Sequence, residues 1–214
     1  MVRSLYNANV PQPKRGRPRA FDRDRALLDA ARLFWRRGYS GTSTRDLTAR
    51  LGLSTSSLYG AFGSKAELFE EAVRTYAERY REIYEQAVTA PDFRTVAERV
   101  LIDSVHEFTR PDDEHPGCLL GSAAMADSTS TLDTSAYFAE LQGHNERILR
   151  ARAERAVEEG ELSTDTNPSA LTGLIQSIWH GLSARANLGA DREDLLATAR
   201  LGHALICGPA GPAR

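Results

Sequence analysis

Several things are scarce in this sequence, and each shortage closes off a class of answer. Only two cysteines occur in 214 residues, Cys118 and Cys207. Far apart, they form neither a disulfide framework nor a CxxC metal site, so a reducing cytoplasm is the expected setting. No apolar run approaches the roughly 18 residues that a membrane span needs, and no membrane partner is expected. The opening "MVRSLYNANVPQPKRGRPR" has no apolar h-region and does not read as a secretory signal. The five histidines are scattered with no HxxxH spacing, so no metal site is expected. No GxSxG, Walker loop or nucleotide-binding glycine fingerprint occurs, and no cofactor is expected. Strand-like alternation of useful length is missing as well. The hydrophobic share of 41% and the charged share of 26% are those of a globular chain that can bury a core.

Charge is the first thing that is present. The net charge of −2 conceals an asymmetry: residues 1–65 hold 13 Lys/Arg against 4 Asp/Glu, and residues 66–214 hold 14 against 25. A basic front and an acidic rear suggest that only the front meets a polyanion. Residues 1–20 read as a basic arm. Its segment "VPQPKRGRPRA" has no apolar periodicity that could hold it in a core. Arginines on an extended chain fit the narrow negative minor groove of A·T-rich DNA, which makes Arg17 and Arg19 candidate groove contacts. The alternative is a basic tail with no specific role.

From residue 21 onward the chain reads as all-α, with about nine helices. Leu27, Ala31 and Phe34 share one face of a helix that stops at Gly38. Ser43 and Asp46 form a capping-box pair for a second helix with Leu47 and Leu51 on its apolar face. Ser54 caps a third, short helix that carries Leu58 and Phe62 and stops at Gly63. Ser64 and Glu67 open a fourth, from Lys65 to about Val88. Longer amphipathic stretches follow, among them a short apolar helix at "CLLGSAAMADS". The last two, about 168–187 and 192–207, are the most apolar and are rich in small residues. The expected division is an arm at 1–20, a helix-turn-helix at 21–66 and a helical domain at 67–208.

Three short helices before a long one, joined by tight turns, fit a helix-turn-helix. With Leu47, Leu51, Leu58 and Phe62 turned inward, Thr55, Ser56, Ser57 and Tyr59 face out. Small hydroxyl side chains at a helix N-terminus approach base edges and phosphates closely, and a tyrosine hydroxyl donates to phosphate. The basic front supplies attraction that does not depend on sequence.

"TSTRDLTARLGLSTSSLYGAFGSKAELFEEAV" resembles the DNA-binding domain of the TetR family of bacterial transcription regulators. The resemblance is specific over residues 21–73 and continues beyond only as helix number and length. It implies a homodimer on double-stranded operator DNA, released by a small molecule held among the middle helices. It also implies that Thr44, Arg45 and Lys65 touch backbone phosphates, that Thr55, Ser56 and Ser57 touch bases or phosphates, and that Tyr59 touches phosphate. The last two helices would form the dimer's four-helix interface, with Gly173, Ser177 and Gly181 allowing close approach and Leu174, Ile178 and Leu201 supplying apolar area. Members often carry a second aromatic and a histidine where this chain has Gly60 and Ala61, so contacts made by those side chains do not transfer.

Phe108, Met125, Phe138 and Trp179 are candidates to line an effector cavity, or else ordinary core. The apolar character of "CLLGSAAMA" and "AYFAELQGH" favours a mostly hydrophobic effector. Cys118, read as the first residue of an apolar helix, is either a stabilised thiolate that senses oxidants or electrophiles, or a small packed residue. Three functions follow in order: a ligand-responsive repressor, a thiol-based sensor acting through Cys118, and an all-α enzyme with a basic surface. The lack of a paired nucleophile and base weighs against the enzyme.

Overall fold

The computed structural model describes residues 22–110, 117–119 and 133–208. Within them lie eight α-helices and no strand: α1 Arg23–Arg37, α2 Thr44–Leu51, α3 Thr55–Phe62, α4 Lys65–Ala87, α5 Phe93–Phe108, α6 Thr134–Glu158, α7 Pro168–Asn187 and α8 Arg192–Cys207. The ninth expected helix, 118–128, falls outside the described residues except for Cys118 and Leu119. Those two are not helical, so Cys118 does not open a helix.

Every described helix has a capped start. Asp22, Ser43, Ser54, Ser64, Asp92, Asp133, Asn167 and Asp191 each accept a first-turn N–H on a side-chain oxygen. Each such cap stabilises its helix by about 1 kcal/mol. The Ser43–Asp46 box is complete. The Ser64–Glu67 pair forms only half of one: Ser64 N–H donates to the Phe62 carbonyl instead. Gly63 takes φ 74°, a backbone conformation that favours glycine.

α1, α2 and α3 close over a core of Leu27, Ala30, Ala31, Phe34, Leu47 and Leu58. The first turns of α4 belong to that core, since Phe69 meets Phe34 edge-on with ring centroids 5.0 Å apart. Beyond them α4 enters a second helical layer, where it packs on α5 and α6. α7 packs on α5, α6 and α8, and α8 lies on α5.

A run of aromatic rings joins the two layers. Trp35 on α1 meets Tyr76 on α4 at 5.7 Å, Tyr76 meets Tyr80 at 5.6 Å, and Tyr80 meets Phe108 on α5 at 5.7 Å. Phe108 then meets Trp179 on α7 at 5.4 Å, and the Trp179 indole N–H donates to Ser104 at 2.8 Å. Such close-packed interiors transmit small displacements rather than absorb them.

Candidate nucleic-acid interface

α3 is held from below and left open above. Leu58 and Phe62 are buried, with 1% and 5% exposure. Arg23 stands 5.1 Å over the Phe62 ring and pairs with Glu71, tying α1 to α4 beneath α3. The opposite side exposes Thr55, Ser56, Ser57, Tyr59 and Gly60. Nothing in the fold needs Gly60 to be glycine, because a Cβ there would meet open space.

The exposed hydroxyls are ordered by one another. Ser54 Oγ lies 2.9 Å from Ser56 Oγ and 2.8 Å from Ser57 Oγ, and it accepts the Ser57 N–H at 3.0 Å. Tyr59, 40% exposed, places its hydroxyl 3.0 Å from Thr44 Oγ1. The start of α2 and the middle of α3 therefore present a paired donor to the same side, with Arg45 exposed next to Thr44. Lys65 opens α4, and its ammonium sits 4.2 Å over the Tyr39 ring. Pairwise cation–π attraction of this kind fixes a lysine head that would otherwise sample many rotamers.

Two aspartates that could repel phosphate are neutralised locally. Asp29 is paired with Arg32 at 3.1 Å and Arg50 at 3.0 Å. Asp46 accepts the Ser43 hydroxyl and Ser43 N–H and pairs with Arg37 at 2.6 Å, which together hold its carboxyl down at about 2.

Of the expected contact residues, Arg45, Thr55, Ser56, Ser57 and Tyr59 are exposed and Thr44 and Lys65 half-buried, and the Thr44–Tyr59 pair is an actual contact. Arg17 and Arg19 lie outside the described residues. Tyr39 is a residue that sequence reasoning missed. Its position after the stop at Gly38 carries no periodicity, and its partner Lys65 is 26 positions away.

In the rear layer, Phe108 and Trp179 are buried and engaged with each other, and Phe138 is half-buried with its ring 6.1 Å from His180. Met125 lies outside the described residues. Cys118 is fully buried and its backbone is clamped: its N–H donates to Asn187 Oδ1 at 3.0 Å, and its carbonyl accepts from Asn187 Nδ2 at 3.3 Å. The adjoining Gly117 carbonyl accepts from Tyr76 and Tyr80 of α4.

On α7 and α8, Leu174 and Leu201 are 49% and 63% exposed, and Ser177 and Gly181 are exposed as well. Leu188 and Leu205, 88% and 77% exposed, belong to the same helices and their edge. Gly173 and Ile178 are half-buried. Ile178 is partly used within the chain, because it presses on Gly202, where a Cβ would come within 3.1 Å of it.

Comparison with known proteins agrees with this geometry. Residues 27–72 match the family described as bacterial regulatory proteins, tetR family, and residues 96–201 match the tetracyclin repressor-like C-terminal domain. The chain belongs to the TetR family. It is a helix-turn-helix DNA-binding transcription regulator. The transcriptional repressor BdcR of Escherichia coli strain K12 is 30% identical over 191 residues, covering 87% of this chain and 89% of the relative. The repressor ComR of the same organism is 28% identical over 185 residues, with 85% and 87% covered. Among solved structures, a cysteine mutant of the TetR-family regulator CifR bound to a 26-base-pair operator superposes with a TM-score of 0.70. It is 36% identical, and the match covers 87% of this chain and 98% of that one. No described helix is long and apolar enough to cross a membrane.

Proposed function

We propose that two copies of the chain join through the exposed faces of α7 and α8 and set two α3 helices into successive major grooves of an operator. In this reading residues 1–20 reach the minor groove, residues 21–66 read the DNA, and residues 67–208 bind the effector and the second copy. The observation that carries it is the two-sidedness of α3, anchored by Leu58 and Phe62 and open at Thr55, Ser56, Ser57, Tyr59 and Gly60. The protein acts in the cytoplasm, where the DNA is, and performs no catalysis.

A small, mostly apolar effector among α4 to α7, lined by Phe108, Phe138 and Trp179, shifts the pair to a spacing that no longer matches the half-sites. α4 carries the shift, because among the described helices it packs both on α1 and α3 and on α5 and α6. A ligand moves such an equilibrium only by its difference in affinity for the two states.

Gel shifts on genomic fragments test the reading. Lys65→Ala should weaken binding to all sequences alike and flatten the salt dependence. Thr55→Ala should instead change the preference among operator variants, by roughly 1–3 kcal/mol per lost base contact. If both variants keep wild-type affinity and specificity, the assignment of the reading side is wrong.

The clamp on Cys118 supports a second reading, control through its thiol. Cys118 is fully buried and hydrogen-bonded to Asn187 of α7, and its neighbour Gly117 to Tyr76 and Tyr80 of α4, so an adduct on the thiol would disturb the packing there. Under this reading Cys118→Ser stays on the operator in the presence of oxidant and still responds to the small molecule. If wild-type protein also ignores oxidant, Cys118 is packing.

A further inference from the structure

The helical domain contains polar atoms that its own residues leave unsatisfied. Asn145 of α6 is fully buried, and neither its amide oxygen nor its amide nitrogen has a hydrogen-bond partner. On α7 the Thr172 hydroxyl and the Gln176 amide nitrogen are likewise unpartnered, in residues 0% and 8% exposed. Interiors rarely tolerate this, because an amide stripped of water without a replacement bond costs stability.

These atoms lie on two helices that pack on each other. Asn145, Leu149 and Arg152 are buried at steps of four and three residues, one face of α6, and Thr172, Gln176 and Trp179 repeat those steps on α7. The two helices pack on each other, and α4 packs on α6. From α4, Tyr84 donates its hydroxyl to Gln176 Oε1 at 3.2 Å. The next residue, Glu85, lies 3.4 Å from His144, the neighbour of Asn145.

No charge is left over among them. Arg152 is held by both oxygens of Glu161, at 2.8 and 3.0 Å, so its charge is cancelled although Nη1 keeps a donor to spare. Burial raises the Tyr84 phenol, which stays neutral. Leu149 and Ile175, next to them along α6 and α7, are buried and apolar.

We propose that this α4–α6–α7 cluster receives the head group of the effector, and that the effector is an apolar molecule bearing a neutral amide-like group. Such a group sets a carbonyl acceptor beside an N–H donor. The proposal rests on the effector reading of the helical domain given above. Asn145 offers an acceptor and two donors side by side, which pair with an amide in both directions. Gln176, whose oxygen already accepts from Tyr84, has its N–H donors unpartnered, and these suit the carbonyl. A carboxylate would meet no uncompensated cation and an ammonium no uncompensated carboxylate, so either would lose its water without return.

The test uses the full-length protein and the probes hexanamide, 1-hexanol, hexanoate and hexylamine, titrated by calorimetry at millimolar concentration. Hexanamide should bind best, and Asn145→Leu should weaken it about tenfold. Without ligand, Asn145→Leu should raise the melting temperature, because it removes an amide that the empty protein does not pair. Thr172→Val, nearly isosteric, should raise it too and serves if Asn145→Leu does not fold. A lowered melting temperature in the variant that folds would mark a structural polar group satisfied by buried water, and would overturn the proposal. So would preference for hexanoate or hexylamine, absence of hexanamide binding, or equal binding to wild type and variant. Hexanamide that binds but leaves the protein on its operator would sink the effector reading and keep the subsite. Release by 1-hexanol from wild type and Asn145→Leu alike would do the reverse.

Discussion

In the reading head, α2 and α3 span eight residues each, whereas α4, α6 and α7 behind it run to 23, 25 and 20. The short helices cannot stand alone, since isolated helices below about 12 residues are marginal in water. They persist because each is capped and each pins one or two large residues into a shared core. Their polar groups are paired locally and their function lies on the surface. In the rear layer the relation is inverted. Its long helices bury Asn145, Thr172 and Gln176 incompletely paired, and leave leucines of α7 and α8 in the open. A region that reads a rigid polyanion needs a finished exterior. On the proposed function the rear layer, which would receive a second copy and a small molecule, keeps unfinished surfaces, outside and inside.

The comparison breaks most sharply at Phe69, which sits on a rear helix and fills the head's core. Phe69→Ala should cost about 3–5 kcal/mol, a large-to-small change at a site of 1% exposure. DNA binding should be lost with it. Thermal unfolding followed in parallel with gel shifts checks both. A variant that melts like wild type would mean that the head does not depend on α4.

Phe69 also shows what the sequence makes legible. Caps, glycine stops and helix faces are local signals, so the starts of α2, α3 and α4 are read from Ser43, Ser54 and Ser64. The inward set Leu47, Leu58 and Phe62 was likewise legible, and with it the outward set of α3. Contacts between distant segments were not. Nothing local marks Tyr39 as the seat of Lys65, or Asn187 as the clamp on Cys118. Asn145 reads as one more polar residue on an amphipathic helix until α4 and α7 close over it. Ile178 was expected to face a second copy, but it is drawn partly into the chain by Gly202, a neighbour brought near only by the α7–α8 packing.

The second effect concerns the open leucines. Leu201→Arg should place a charge on an apolar face meant for its own copy and yield monomers in ultracentrifugation. Each head would then read one half-site alone, with operator affinity reduced roughly a hundredfold through loss of the linked second contact. Stability of the isolated chain should barely change, since Leu201 is 63% exposed. A variant that stays dimeric would move the interface away from α8.

A smaller effect separates fold from function on α3 itself. Gly60 costs the helix about 1 kcal/mol relative to alanine, and the fold has room for a methyl group there. Gly60→Ala should therefore raise the melting temperature. If the bare backbone at this position exists to let DNA approach, the same change lowers operator affinity. Affinity that rises along with stability would mean that the missing Cβ has no part in binding.

The smallest effect is set by pH and belongs wholly to the head. The Asp46 carboxyl is held at about 2, from an ordinary value near 3.8, by the Ser43 hydroxyl first, then Ser43 N–H and Arg37. A depressed carboxyl contributes stability that is complete above its unfolded value. That contribution fades as pH falls through the interval between 3.8 and about 2. The start of α2 should accordingly loosen below pH 4 while the middle of α7, which carries no titrating carboxylate, does not. Since Asp46 is solvent-exposed, the change should show as faster amide exchange at Asp46 and its neighbours and not as global unfolding. Asp46→Asn should abolish this dependence and leave protection, taken relative to the intrinsic exchange rate at each pH, constant and slightly lower, because the asparagine oxygen still accepts the Ser43 N–H but cannot form the ion pair with Arg37. Amide exchange measured from pH 5 to pH 2.5 on both proteins decides it, and equal behaviour would show that the Ser43–Asp46 box is held by geometry alone.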